Sequence, residues 1–113
     1  MKEAVAHRDP AMKLEYDTEA VRKFCRERGI AKLEVFGSAL RDDFRPDSDL
    51  DLLCTLQSDA HSTLFGWVDM EFRLAEIFGR SVDLLDRPTI DQSRNVRRKL
   101  SILSRTVPLY VEG

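Results

Sequence analysis

Three aspartates carry the chemistry open to this sequence: Asp49 and Asp51, separated by a single leucine, and Asp83, thirty-two residues after Asp51. Side chains two apart on an extended strand project from one face, roughly 6 to 7 Å apart along the backbone at about 3.3 Å per residue. Two carboxylates at that separation can converge on a hard cation. Mg²⁺ is usually held by one or two carboxylates, with phosphate oxygens and waters completing its octahedron. Two such ions about 3.5 to 4 Å apart stabilise the attacking and leaving oxygens of an in-line displacement. Two acids alone would hold that pair poorly. Asp83, in Val82-Asp83-Leu84-Leu85, supplies a third carboxylate from another strand and is the natural general base toward an acceptor hydroxyl.

Ahead of the acids stands Gly37-Ser38, with ten residues between Ser38 and Asp49. Gly37, lacking a Cβ, lets backbone approach a phosphate, and Ser38 offers it a hydroxyl and an amide. Arg41 adds a positive charge, and a short helical turn over residues 38–42 would aim free amides at the same anion. Each part alone has a plainer reading. A D-x-D is most often the solvated side of a strand, Gly-Ser turns are common, and Asp42, Asp43, Arg45 and Asp47 read as a solvated loop with local ion pairs. Their combination in one order is what points to nucleotide chemistry.

The elements that must position these residues follow from patterning. A helix is expected from Asp17 or Thr18, either able to cap it, to Gly29, with Ala20, Val21, Phe24 and Cys25 inward. A strand follows over Ala31–Phe36, where Ala31, Leu33 and Val35 alternate with Lys32 and Glu34. The next strand, Asp49–Leu56, packs Leu50, Leu52, Cys54 and Leu56 on one face and turns Asp49, Asp51, Leu53 and Thr55 to the other. A second helix is predicted over 62–78 on a stripe of Leu64, Val68, Phe72, Ala75 and Phe78, widened by Phe65, Trp67 and Leu74. Core packing of Phe65 and Trp67 is preferred to an exposed docking patch. A strand at 81–86 precedes one last helix from Pro88 to about Ser104, with Val96, Leu100, Leu103 and Val107 along one side into a short tail. Strands alternating with helices predict an α/β (α+β) fold, a mixed sheet covered by helices.

Composition agrees. The chain has 113 residues, 42% hydrophobic and 34% charged, with a formal charge of −2. That length suits one domain, expected over residues 17–113 behind a partly loose segment 1–16. No apolar run approaches the roughly 20 residues of a membrane span, and residues 1–17 lack the apolar stretch of a secretory signal, so a cytoplasmic location is expected without a membrane partner. The net charge gives no global reason to bind nucleic acid, and direct nucleic-acid binding is not expected. Cys25 and Cys54 have no zinc spacing and read as small buried apolar residues.

Gly37-Ser38, ten residues, Asp49-Leu50-Asp51 and a later Val82-Asp83-Leu84 together resemble the signature of the polymerase beta-like nucleotidyltransferase superfamily. Ser48–Leu53 and Gly79–Leu85 are especially similar to its minimal nucleotidyltransferases, over roughly residues 18–110. The resemblance implies the polymerase beta-like fold and Mg²⁺-dependent transfer of a nucleoside monophosphate, usually AMP from ATP, with pyrophosphate released. Asp49, Asp51 and Asp83 would be the metal-binding and catalytic residues, and Gly37, Ser38 and Arg41 the nucleotide-binding ones. In this subfamily the residue after the loop arginine is often glycine; here it is Asp42.

Minimal nucleotidyltransferases of this size typically stand beside a helical HEPN ribonuclease toxin, and the family's antitoxins can silence it by placing AMP on a tyrosine. The resemblance therefore implies an antitoxin with a HEPN partner encoded nearby. His7 and His61 do not follow an arginine at the spacing of the HEPN motif, so this chain reads as the transferase half. A non-catalytic antitoxin acting by occlusion, and a small-molecule nucleotidyltransferase of the aminoglycoside type, are the alternatives. The complete acid set weighs against the first. The lack of room for a substrate domain weighs against the second. Arg94, Arg97, Arg98 and Lys99 would contact partner or triphosphate, or form the solvated side of the last helix.

Overall fold

The structure, a computed structural model, describes residues 14–41, 44–45 and 47–113. Helix α1, Thr18–Arg28, starts where the Asp17 carboxylate accepts the Ala20 amide at 3.1 Å and ends on Gly29 at φ 70°. Strand β1, Ile30–Phe36, leads into a 3-10 turn at Gly37–Leu40, and β2 spans Leu50–Leu56. Helix α2, Leu64–Phe78, is capped by the Thr63 hydroxyl and ends on Gly79. Strand β3, Val82–Asp86, runs straight into the short helix α3, Arg87–Asp91, followed by α4, Val96–Leu103, and β4, Val107–Val111.

The four strands lie in the order β3-β2-β1-β4, with β2 and β3 parallel and the other two pairings antiparallel. The mixed sheet expected from the pattern is what forms. Helices α1 and α2 cover one face: Val21, Phe24, Met70, Leu74 and Phe78 pack on Leu33, Val35, Leu50, Leu52, Cys54 and Leu84. Both cysteines are buried there as free thiols, and burial pushes each up to about 12. Leu14 and Tyr16 join this core, with the Tyr16 ring 5.4 Å from that of Phe78, so the described end of the segment 1–16 is packed. Residues 1–13 lie outside the described residues.

Four expectations are corrected. The inward stripe of α2 keeps only part of the predicted set: Leu74 and Phe78 are buried with Trp67 partly so, joined by Met70, while Leu64, Phe65 and Phe72 are 76%, 85% and 68% exposed and Val68 is also exposed. Apolar residues surround most of α2, so their spacing does not single out one face. The last helix is two helices, because Gln92–Asn95 leaves the helical path and the Asn95 side chain accepts the Arg98 amide at 3.1 Å, restarting the coil. That break leaves Val96 and Leu100 exposed and buries Ile90 and Ile102 instead. The tail is a strand, β4, despite Pro108, which an edge strand tolerates.

The face of β2 expected to carry chemistry is mostly covered. Only its leading end is open. Further along, Leu53 is fully buried in a second small core with Phe36, Ile90 and Ile102 under α3 and α4. Glu34, the register partner of Leu53, is 1% exposed on that same side, held by both Arg87 Nη1 bonds at 2.8 and 3.0 Å and by the Thr106 hydroxyl at 2.8 Å.

At Leu84 the outer edge of β3 is met by two side chains of α2. Glu71 accepts the Leu84 amide at 2.8 Å, and Trp67 Nε1 donates to the Leu84 carbonyl at 3.1 Å.

Candidate active site

The order of elements brings Asp51 and Asp83 side by side and leaves Asp49 at the entrance to β2. In the parallel pairing of β2 and β3, Asp51 stands opposite Asp83, and on the other side of Asp51 its antiparallel partner is Phe36 of β1. Register partners share a face, so the two carboxylates are neighbours on adjacent strands, about 4.8 Å apart between backbones. Asp49 sits two residues before Asp51, at the mouth of β2, where the Leu50 amide bonded to Ser81 O at 2.9 Å ties the start of β2 to the approach of β3. Asp49 and Asp83 are exposed and Asp51 half-buried. Asp51 and Asp83 therefore form a lip on the surface, with Asp49 just ahead of it in the chain.

Gly37 opens the 3-10 turn directly beside this lip. Its φ of 74° is a left-handed conformation, and a Cβ on it would overlap the Asp51 Oδ2. The glycine is thus required twice, by the backbone and by the carboxylate it admits. Ser38 follows within the turn, and Arg41, exposed, stands just past its end. The turn is shorter than the predicted 38–42, and Asp42 lies outside the described residues. Arg105 Nη1 donates to Leu40 O at 2.9 Å, fixing the end of the turn from the α4–β4 connection.

Among the described residues no three His, Cys, Asp or Glu side chains make a ready metal cage. Two or three carboxylates on an open lip suit Mg²⁺ shared with phosphate oxygens better than a closed protein cage does, and all the donors are hard oxygens. A cleft of about 690 Å³, lined by Tyr16, Arg22, Arg26 and Tyr110 among others, contains none of the three acids. The acids belong to the surface, not to that cleft.

Residues 18–109 match the nucleotidyltransferase domain family. The chain belongs to that family. A solved structure described as a minimal nucleotidyltransferase is 30% identical, over 80% of this chain and 87% of its own, with a TM-score of 0.60. A chain of a toxin–antitoxin crystal structure with AMP-PNP is 16% identical over 85% of this chain and 74% of its own, TM-score 0.63. A chain from the tri-AMPylated Shewanella oneidensis HEPN toxin in complex with MNT antitoxin is 16% identical over 84% and 70%, TM-score 0.57. The last two share the fold. No curated protein matches this chain significantly.

Several residues of this nucleotidyltransferase domain that support the lip gave no signal in the linear pattern. Arg80 reaches from the α2–β3 connection to the loop ahead of Asp49, donating to Arg45 O at 3.0 Å and Ser48 O at 3.2 Å and stacking 4.3 Å over the Phe44 ring. Desolvation lowers its pKa, opposed by the charge of Asp47, and among the described residues its buried Nε has no partner. Its work is structural: it holds the loop that carries the chain from turn to acids. Arg87 braces β1 on the same side of the sheet through Glu34. Burial alone would depress the Arg87 guanidinium, but the bonds and charges of Asp91 and Glu34 outweigh it and raise its pKa. Arg94, Arg97 and Arg98 are exposed on or beside α4.

Proposed function

We propose that this nucleotidyltransferase domain, residues 17–113 acting as one unit, transfers AMP from ATP to a tyrosine hydroxyl of a HEPN ribonuclease toxin encoded nearby, and so serves as its antitoxin in the cytoplasm. The observation that carries the reading is the pairing of Asp51 with Asp83 across β2 and β3, with Gly37 admitting the Asp51 carboxylate. The neighbours described as toxin–antitoxin complexes, one with AMP-PNP and one with an AMPylated toxin, support the nucleotide and the partner class.

Asp49, Asp51 and Asp83 would hold two Mg²⁺ ions, which when bound neutralise charge on the phosphates. The chain's own groups do the rest. The amides of the turn after Gly37, Ser38 and Arg41 hold the phosphates and align the α-phosphorus with the acceptor. Asp83 accepts the proton of the acceptor hydroxyl as the oxygen–phosphorus bond forms, and the bond to pyrophosphate breaks. An exposed lip suits an acceptor presented by another macromolecule.

The test combines the protein, the HEPN partner, Mg²⁺ and ATP labelled on the α-phosphate. Label is expected on the partner and is lost in Asp49→Ala and Asp51→Ala. Labelling that survives both substitutions refutes the site. A tight complex that protects cells without any labelling refutes transfer in favour of occlusion.

A further inference from the structure

β3 is an edge strand of five residues, paired on one side only. Edge strands with a bare outer rim slide and fray, and a slip of one residue would carry Asp83 to the opposite face. In an extended strand the amide and carbonyl of one residue point to the same side, so those of Leu84 point to the outer rim while its neighbours bond β2. Both are taken by α2: Glu71 accepts from Leu84 N at 2.8 Å and Trp67 Nε1 donates to Leu84 O at 3.1 Å. Four residues apart, Trp67 and Glu71 are neighbours on one face of the helix. Together they present one donor and one acceptor, as an adjoining strand would. Core formation alone does not explain a half-buried acid beside Met70 and Leu74, where an apolar residue would pack at lower desolvation cost.

We propose that Trp67 and Glu71 are positioning residues for Asp83, holding the Leu84 peptide so that the carboxylate one residue earlier stays in register with Asp51. This rests on the reading of Asp83 as a site carboxylate. Neither residue touches the reacting atoms. Their effect passes through the backbone, and it is therefore expected in metal affinity as well as in rate.

The experiment uses the full chain with a non-hydrolysable ATP analogue and Mn²⁺, whose binding is followed by electron paramagnetic resonance, while the Leu84 amide is followed by NMR. Glu71→Ala and Trp67→Phe are expected to weaken Mn²⁺ binding roughly 10-fold, the lower range seen when groups orienting metal ligands are removed. Glu71→Gln, which keeps an acceptor oxygen, is expected to restore it. In an Asp83→Asn background the Glu71 and Trp67 substitutions should cause no further loss, because the carboxylate they orient is gone. Trp67→Phe keeps most of the ring volume, so the test stands on it if Glu71→Ala does not fold. Undiminished Mn²⁺ affinity in Trp67→Phe and Glu71→Ala, with a displaced Leu84 amide signal and a clear loss in Asp83→Asn, overturns the positioning role and leaves the site intact. An Asp83→Asn protein that binds Mn²⁺ as the parent does overturns the site reading, and the positioning role with it.

Discussion

Asp51 and Asp83 face each other across the parallel pairing of β2 and β3, so two like charges share one row of the sheet. Opposed like charges destabilise a sheet. An arrangement that costs stability and is kept is expected where function needs the charges. In metal-free protein, Asp83→Asn should therefore leave the denaturation midpoint unchanged or raised, while transfer falls by about 10²- to 10⁴-fold with loss of the general base. Parallel urea unfolding and labelling measurements check the two halves; a clearly lowered midpoint would contradict the repulsion argument.

Gly37→Ala is expected to cost about 1–3 kcal/mol, because a non-glycine residue is strained at its positive φ. The added methyl also displaces the Asp51 carboxylate, so transfer should fall together with stability. Part of the cost comes from that overlap. Asp51→Ala should recover this part, and a double-mutant cycle by denaturant unfolding measures it.

Arg87→Ala strands Glu34 in the second core, with Thr106 and, at 3.7 Å, Lys32 as its remaining partners. Breaking a buried pair from one side costs about 3–5 kcal/mol, and the partial exposure of Arg87 places the expected loss at the low end. Asp91→Ala, which removes only the exposed partner of Arg87, should cost far less. Equal losses in chemical denaturation would show that Glu34 does not depend on Arg87.

Cys25 and Cys54 are both pushed up to about 12 by burial, from an ordinary thiol value of 9.0. In the unfolded chain the thiols lose their protons first, so stability from this source is complete below pH 9 and declines as pH rises toward 12. Cys25→Ala should flatten that decline. Neither thiol should react with an aromatic disulfide reagent at pH 8 until denaturant is added.

Met70→Ala should cost about 2–5 kcal/mol, the range for emptying a core position, whereas Phe72→Ala on the exposed side of α2 should stay within about 0.5 kcal/mol. Reversal of that order would restore the stripe the spacing predicts.

The acids, the Gly-Ser turn, α1 with its caps and the mixed sheet were legible in the sequence because each rests on short-range rules. Asp17, Gly29 and the alternation along β2 act within a few residues of themselves. Even Asp83 was legible, through its own Val-Asp-Leu strand. Leu64, Phe65 and Phe72 misled because α2 is apolar on several sides, and spacing cannot rank faces that are all apolar. Arg80, Glu34 and Glu71 gave no signal as bonding residues, and Trp67 read only as core, because their hydrogen-bond partners lie 13 to 72 residues away in the chain.

Local composition by itself determined which residues carry charge, where α1 and the first two strands lie, and that Asp49 and Asp51 stand two apart at the start of β2. Only the folded sheet decided that Asp83 stands beside Asp51, that Trp67 and Glu71 meet the Leu84 peptide, and that the residues after Thr106 form a strand. Those choices depend on which edges and faces remain unsatisfied once the sheet exists, since a backbone amide or a buried carboxylate finds its partner in space rather than in sequence.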